Sequence, residues 1–188
     1  ALMRTIPGMT IINPCDDVEA RAAVRTAVEF EGPVYMRFGR LAVPVINDRE
    51  TYKFELGKGV TMKDGNDITI VATGLMVNEA LEASKVLENE GISARVVNIH
   101  TIKPLDKELI YKCAKETGVI VTAEEHSVIG GLGSAVAEAV TECCPVPVVK
   151  IGVNDVYGHS GPAVDLLKEF GLSSENIVNT VKKAINLK

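Results

Sequence analysis

The chain has 188 residues, 46% hydrophobic and 24% charged, with 25 acidic against 20 basic side chains and a net charge of -5. That length supports one domain, or one domain plus a piece of another, around a buried core. The acidic balance, with no basic run longer than Lys182-Lys183, argues against nucleic acid and anionic membrane as partners. No apolar stretch approaches the ~20 residues that span a bilayer, and the first residues lack the order of a secretory signal, so the expected location is cytoplasmic.

Met9-Thr-Ile-Ile-Asn13 predicts a strand that Pro14 stops, and Asp16, three residues before Glu19, offers the side-chain cap of a helix carrying Ala20, Val24, Ala27 and Val28 on one face. Gly32-Pro33 ends that helix, and Val34-Tyr-Met-Arg-Phe38 follows as a second strand. Residues 41–66 scatter turn residues among short apolar pieces such as Val60-Thr-Met62, predicting a connecting segment with one hairpin.

From Asp67 a regular alternation begins, the pattern of a parallel sheet covered on both faces. Ile68–Thr73 is a strand; Met76, Val77, Ala80, Leu81 and Leu87 line a helix ended by Gly91; Ala94–Ile99 is the next strand. Asp106 caps a helix carrying Leu109, Ile110, Cys113 and Ala114, and Val119–Ala123 is a third strand. A helix with Leu132, Val136, Val140 and Cys143 on one side precedes Val146–Ile151, where Pro147 suits an edge position. Two short helices close the chain, Ser160–Phe170 and Ser173–Leu187.

The most informative run is Val121–Gly133, which passes from a buried-strand pattern through Glu124, Glu125 and His126 into Gly130-Gly131-Leu132-Gly133. In an open α/β sheet such a junction lies at the carboxyl edge, where ligands and interfaces are placed. A histidine held by a carboxylate suits acid-base work near neutral pH. The preferred reading of the same residues is a glycine-freed loop packed against a neighbouring subunit. Gly130-Gly-Leu-Gly is not G-x-G-x-x-G, which disfavours a dinucleotide site. His100 and His159 each stand alone and read as structural, and Ser160 reads as a helix cap. Cys15, Cys113, Cys143 and Cys144 lack C-x-x-C spacing and read as free thiols.

Five motifs in order, Ile6-Pro-Gly-Met with Pro14-Cys-Asp-Asp17, Gly32-Pro-Val-Tyr-Met-Arg-Phe-Gly-Arg40, Asp67–Gly74, Lys103-Pro-Leu-Asp106, and Glu124-Glu125 with Gly130–Gly133 and Tyr157-Gly-His-Ser-Gly161, resemble the thiamine-diphosphate-dependent transketolase family. The wording is similar to the separate C-terminal subunit of two-component transketolases, with 1-deoxyxylulose 5-phosphate synthase and the β subunit of 2-oxoacid dehydrogenase E1 as relatives. The resemblance implies an α/β fold: a three-layer α/β/α transketolase C-terminal domain with a mostly parallel sheet over residues 66–188, a linker over 45–65, and a truncated remnant of the pyrimidine-binding domain over 1–44.

The same resemblance implies transfer of a two-carbon ketol unit between phosphorylated sugars of the pentose phosphate pathway. Thiamine diphosphate and a divalent metal such as Mg2+ would be held in the full assembly, and an N-terminal transketolase subunit would be the partner. It implies a homodimer through the C-terminal domain. The catalytic groups of the family lie upstream of Ala1, so the expectation is that no catalytic residue falls in this chain and that the chain alone is inactive. Arg40 matches the family position where an arginine reaches the sugar phosphate, and a planar guanidinium suits a phosphate by paired bonds. Without the resemblance, Arg40 reads as an ordinary solvated residue. Arg37 is the weaker phosphate candidate, and its register in the strand favours a structural ion pair. Glu124, His126, Gly130, Gly131 and Gly133 form the expected interface loop at the edge of an active site, and no metal site is expected in this chain.

Overall fold

In the computed structural model, which describes residues 1–188, eight strands and six α-helices form two sheets. A five-stranded sheet runs in the order β3 (Val60–Lys63), β5 (Ala94–Asn98), β4 (Ile68–Ala72), β7 (Ile120–Ser127) and β8 (Val148–Val153). The last four are mutually parallel and β3 is antiparallel to β5. β8 lies at the edge, which is where a strand preceded by Pro147 loses no ladder bond.

Successive strand residues point to opposite faces, and here the two faces carry two cores. Ile68, Ile70, Val96 and Val121 pack under α2 (Met76–Asn89) and α6 (Ser174–Ala184), against Met76, Leu87, Ile177 and Val181. Val71, Val97 and Ile120 pack under α3 (Lys107–Thr117) and α4 (Leu132–Cys143), against Ile110, Leu132 and Val136. The three-layer expectation holds for this reason: each buried side chain of this size contributes about 1.5–3 kcal/mol, and a central strand apolar on both faces needs helices on both.

A second sheet has the order β2 (Val34–Met36), β1 (Thr10–Ile12), β6 (Thr101–Lys103). β1 and β2 are parallel and flank α1 (Asp17–Glu29). β6 is antiparallel to β1, pairing Ile11 with Lys103 and Ile12 with Thr101. Because β6 follows β5 directly, the beginning of the chain is hydrogen-bonded to a strand supplied by its later half.

Three expectations are corrected. Val60–Lys63 makes no local hairpin; it pairs with β5 as the far edge of the large sheet. β7 does not stop at Ala123 but runs to Ser127, so Glu124, Glu125 and His126 lie on a strand. The helix α5 spans Ala163–Glu169 with Pro162 at its N-cap position, so Ser160 caps nothing and its carbonyl instead faces His159 Nδ1 at 3.3 Å.

Candidate functional site

Two cavities open at the carboxyl ends of the strands. One, of about 210 Å³, is walled by Asn13 and Thr73, the residues just after β1 and β4, with Arg37, Glu124, His126 and Gly131. The other, of about 420 Å³, has Arg37, Arg40 and His159 on its walls above Leu75, Val153 and Phe170. Arg37 and His126 line both.

Glu124 is 2% exposed and its carboxylate is fully engaged: Leu132 N donates to Oε2 at 2.7 Å and Gly133 N donates to Oε1 at 2.8 Å. These are two of the four amide groups that a helix start leaves without partners, and an anion there also meets the positive end of the helix dipole. The acid therefore caps α4 from the neighbouring strand. A Cβ on Gly131 would lie 2.0 Å from Glu124 Oε2 and 2.9 Å from His126 Nδ1, and one on Gly133 would lie 2.7 Å from Thr122 Oγ1. The glycine run is thus required by packing inside this chain. Gly130 donates its N–H to Ser134 Oγ at 2.9 Å and accepts from Arg4 on its carbonyl at 2.9 Å.

His126 is near Glu124 without being hydrogen-bonded to it: Nδ1 is 3.8 Å from Oε2 and 2.8 Å from the Ser127 carbonyl, to which it donates. Its ring forms part of the wall of the smaller cavity. Arg37 pairs loosely with Glu125 at 3.8 Å. Strand β2 ends before both arginines, and both line the larger cavity. Arg40 is exposed and engaged in no ion pair.

Below these cavities lies a polar junction that the sequence reading missed. Glu19 is 0% exposed; Tyr52 Oη and Asn98 Nδ2 donate to its Oε1, the latter at 2.8 Å, and Cys15 N donates to Oε2 at 2.7 Å. Burial pushes this carboxyl above its usual range, against hydrogen bonds from Tyr52 and Cys15 that pull the other way. Burial likewise pushes the Cys15 thiol and the Tyr52 phenol up. Beside it, Asp16 Oδ1 caps α1 through Glu19 N at 2.9 Å while Oδ2 accepts from Ile46 N and Asn47 N. Asn13 and Thr73, also missed, carry only a positional signal: each directly follows an apolar strand run.

Both the layered sheet and the carboxyl-edge cavities are those of an α/β protein that places its ligands beyond strand ends. Residues 57–177 match the family described as transketolase, C-terminal domain, and residues 1–45 match transketolase, pyrimidine binding domain. The chain belongs to the transketolase family. It is 45% identical to the 6-deoxy-6-sulfo-D-fructose transketolase subunit SqwH of Clostridium sp. (strain MSTE9), over 100% of this chain and 58% of that protein. It is 44% identical to one of the subunits of the apulose-4-phosphate transketolase of Phocaeicola vulgatus, over 96% of this chain and 57% of that protein. A solved split gene transketolase, described as an inactive beta4 tetramer, superposes with a TM-score of 0.94 at 51% identity, covering 100% of this chain and 60% of that one. The chain thus spans less than two thirds of these relatives.

Neither cavity holds the family's cofactor on its own residues. The smaller, at about 210 Å³, falls below the roughly 300–1,000 Å³ of sites for molecules of that size. The larger has Glu125 as its one carboxylate, and no three His, Cys, Asp or Glu side chains converge to hold a metal. These residues make no complete site for thiamine diphosphate and its metal.

Proposed function

We propose that this chain is the C-terminal part of a transketolase subunit that, with an N-terminal partner subunit, transfers a two-carbon ketol unit between phosphorylated sugars. In this reading residues 1–44 are the end of the pyrimidine-binding domain, 45–65 the connection and 66–188 the C-terminal domain. Thiamine diphosphate, with a divalent metal such as Mg2+, supplies the carbonyl-activating chemistry and lies between subunits. The chain alone is inactive, and it pairs with a second copy through the loop at Gly130–Gly133. Its setting is the cytoplasm, among pentose phosphates.

The observation that carries the reading is Arg40: an exposed guanidinium without an ion-pair partner on the wall of a 420 Å³ cavity at the carboxyl edge. Two relatives are named for ketoses ending in a sulfonate or a phosphate, and a free guanidinium suits either anion. Arg37, held by Glu125, assists from the same wall.

The test is the subunit containing this chain mixed with its N-terminal partner and assayed on xylulose 5-phosphate and ribose 5-phosphate. Arg40→Ala raises KM for phosphorylated substrates by roughly 10–100-fold, the worth of one charge-assisted contact or two, and raises it far less for unphosphorylated sugars. Equal effects on both remove Arg40 from that role. Turnover of pyruvate with glyceraldehyde 3-phosphate instead would shift the reading to a 1-deoxyxylulose 5-phosphate synthase, and turnover of a 2-oxoacid to a dehydrogenase E1 β subunit.

A second reading, of another class, makes the chain an assembly module that touches no substrate. The solved relative described as an inactive beta4 tetramer supports self-association. Size-exclusion chromatography with a sugar-phosphate titration separates the two, because a stable oligomer indifferent to sugar phosphate favours the assembly role.

A further inference from the structure

The turn between β8 and α5 carries apolar side chains that nothing else in the chain covers. Tyr157 is 99% exposed, and Val156 and Val164 are 56% and 58% exposed. Single apolar residues at a surface are ordinary, but these three lie in or beside one turn, and Gly158, His159 and Ala163 among them line the larger cavity. On the far side of that cavity, Leu41 and Leu75 also line a neighbouring hollow of about 140 Å³, together with the exposed Phe38. One face of the molecule therefore bears both a projecting aromatic ring and an apolar-floored hollow of about 420 Å³. A clustered patch of this kind marks an interaction surface.

The same face carries unanswered charges of both signs. His159 is matched by Glu169 at 2.8 Å and Arg37 by Glu125 at 3.8 Å, which leaves Arg40 as the unpaired cation of the cavity wall. Asp155 on the turn and Asp165 in the first turn of α5 are exposed and likewise without an ion-pair partner. A two-fold contact sets a patch against itself, so that each residue meets one from a different position of the other copy. A face with a knob and a hollow, and with a free guanidinium and free carboxylates, is complementary to its own two-fold image. A partner of one charge sign would leave one of these sets unanswered.

We infer that a second copy of this chain docks on this face, Tyr157 of each copy entering the larger cavity of the other, with Arg40 opposite Asp155 and Asp165 across the contact. The inference rests on the self-association reading and adds to it a second interface, separate from the loop at Gly130–Gly133. One two-fold contact joins two copies and no more. A closed set of four, the assembly described for the solved relative, needs a second kind of contact or a head-to-tail one. A copy docked through Tyr157 has its larger cavity filled, so this association and any other use of that cavity exclude each other.

The test uses the subunit containing this chain, prepared without its N-terminal partner and followed by sedimentation over a concentration series. Tyr157→Asp weakens association roughly 30–1,000-fold, the range for loss of an aromatic anchor from a partner's pocket. Because Tyr157 touches almost nothing in its own chain, the variant keeps the wild-type circular dichroism. Tyr157→Phe keeps the ring and leaves association within about threefold. Val28→Asp adds the same charge at an 82% exposed site on α1 and changes nothing. A benzophenone amino acid at position 157 joins two copies under light, and the joined peptides contain Leu41, Leu75 or Leu166 of the second copy. Self-association that survives Tyr157→Asp, or cross-links that run from position 157 only to the Gly130–Gly133 loop, overturns the inference and leaves the self-association reading standing. A wild-type subunit that stays monomeric at hundreds of micromolar overturns both.

Discussion

Asn98, at the end of β5, donates to the buried carboxylate of Glu19 at 2.8 Å. One partner belongs to the first helix of the chain and the other to the central sheet, and Tyr52 from the connecting segment joins them on the same oxygen. The first helix, the large sheet and the connecting segment are thus tied through one acid. Its removal leaves three donors facing an apolar surround, and unpaired buried donors are costly.

Replacing Glu19 with Ala is therefore expected to cost roughly 2–4 kcal/mol, partly offset by relief from burying a charge. Glu19→Gln costs less, since its carbonyl still accepts from Asn98 or Tyr52, but its amide now faces the Cys15 N–H. Urea unfolding followed by circular dichroism measures both. A loss below ~0.5 kcal/mol for Glu19→Ala, the range of an ordinary surface change, would show that the junction does not hold these stretches together.

His100 gives the fold an acid-side weakness. It is 1% exposed, its ring centroid is 4.3 Å from that of Phe54, and burial pushes its pKa from 6.5 down to about 4. The unfolded chain takes up the proton first as pH falls, so the stability this group confers is full above pH 6.5 and is lost toward pH 4. The loss reaches about 3 kcal/mol by proton linkage. Glu19 works in the opposite sense, because a raised carboxyl pKa favours the folded state on acidification. The comparison that isolates His100 is His100→Gln against wild type: the variant is less stable at pH 7, and its stability falls less steeply between pH 6.5 and 4.5. Parallel slopes for the two proteins would assign the acid loss elsewhere.

Glu124 and Gly131 form a pair in which each residue requires the other. A Cβ at position 131 meets the carboxylate at 2.0 Å, so Gly131→Ala must displace either the acid from its cap or the helix start from the strand. A cost of roughly 1–3 kcal/mol is expected from overpacking of this kind. Glu124→Ala alone costs about 1–2 kcal/mol by loss of the cap. In the Glu124→Ala background the alanine at 131 no longer meets the carboxylate and only the 2.9 Å approach to His126 Nδ1 remains, so the double variant is more stable than the sum of the two losses predicts. Strict additivity in the four-protein cycle would mean that the close approach is relaxed in solution.

Much of this architecture is legible in the amino-acid order, and what is hidden is hidden for identifiable reasons. The apolar runs at Ile68, Ala94 and Val119, and the caps at Asp16 and Asp106, announce themselves because their signal is local. Thr101-Ile102-Lys103 does not: three residues before a proline carry no alternation, and β6 exists only because β1 lies beside it. Glu124-Glu125-His126-Ser127 has poor strand propensity, yet β8 pairs as far as Ser127 and extends β7 through it, which turns an apparent acid-base cluster into a helix cap. For the candidate site, Arg40 was visible through resemblance, whereas His159 looked solitary because its neighbours are brought to it only by the fold.

Asp16 bears most directly on where Arg40 stands. One oxygen caps α1 through Glu19 N at 2.9 Å, and the other accepts from Ile46 N and Asn47 N at 2.9 and 2.8 Å. The segment from Arg37 to Asn47 has no strand or helix of its own beyond β2, so these two amide bonds are its anchor at the far end. Asp16→Asn keeps an acceptor for the cap when its amide oxygen turns to Glu19 N, but then sets an NH2 group against two N–H donors. The expected cost is about 1–3 kcal/mol, with the greater consequence local: amide exchange at Ile46 and Asn47 accelerates, and the Arg40-dependent binding of ribose 5-phosphate weakens severalfold. Asp17→Asn, whose carboxylate makes only exposed ion pairs with Arg21 and Arg49, serves as the neighbouring control and changes neither. Faster exchange in Asp16→Asn without weaker binding would mean that the anchored segment does not set the position of the guanidinium.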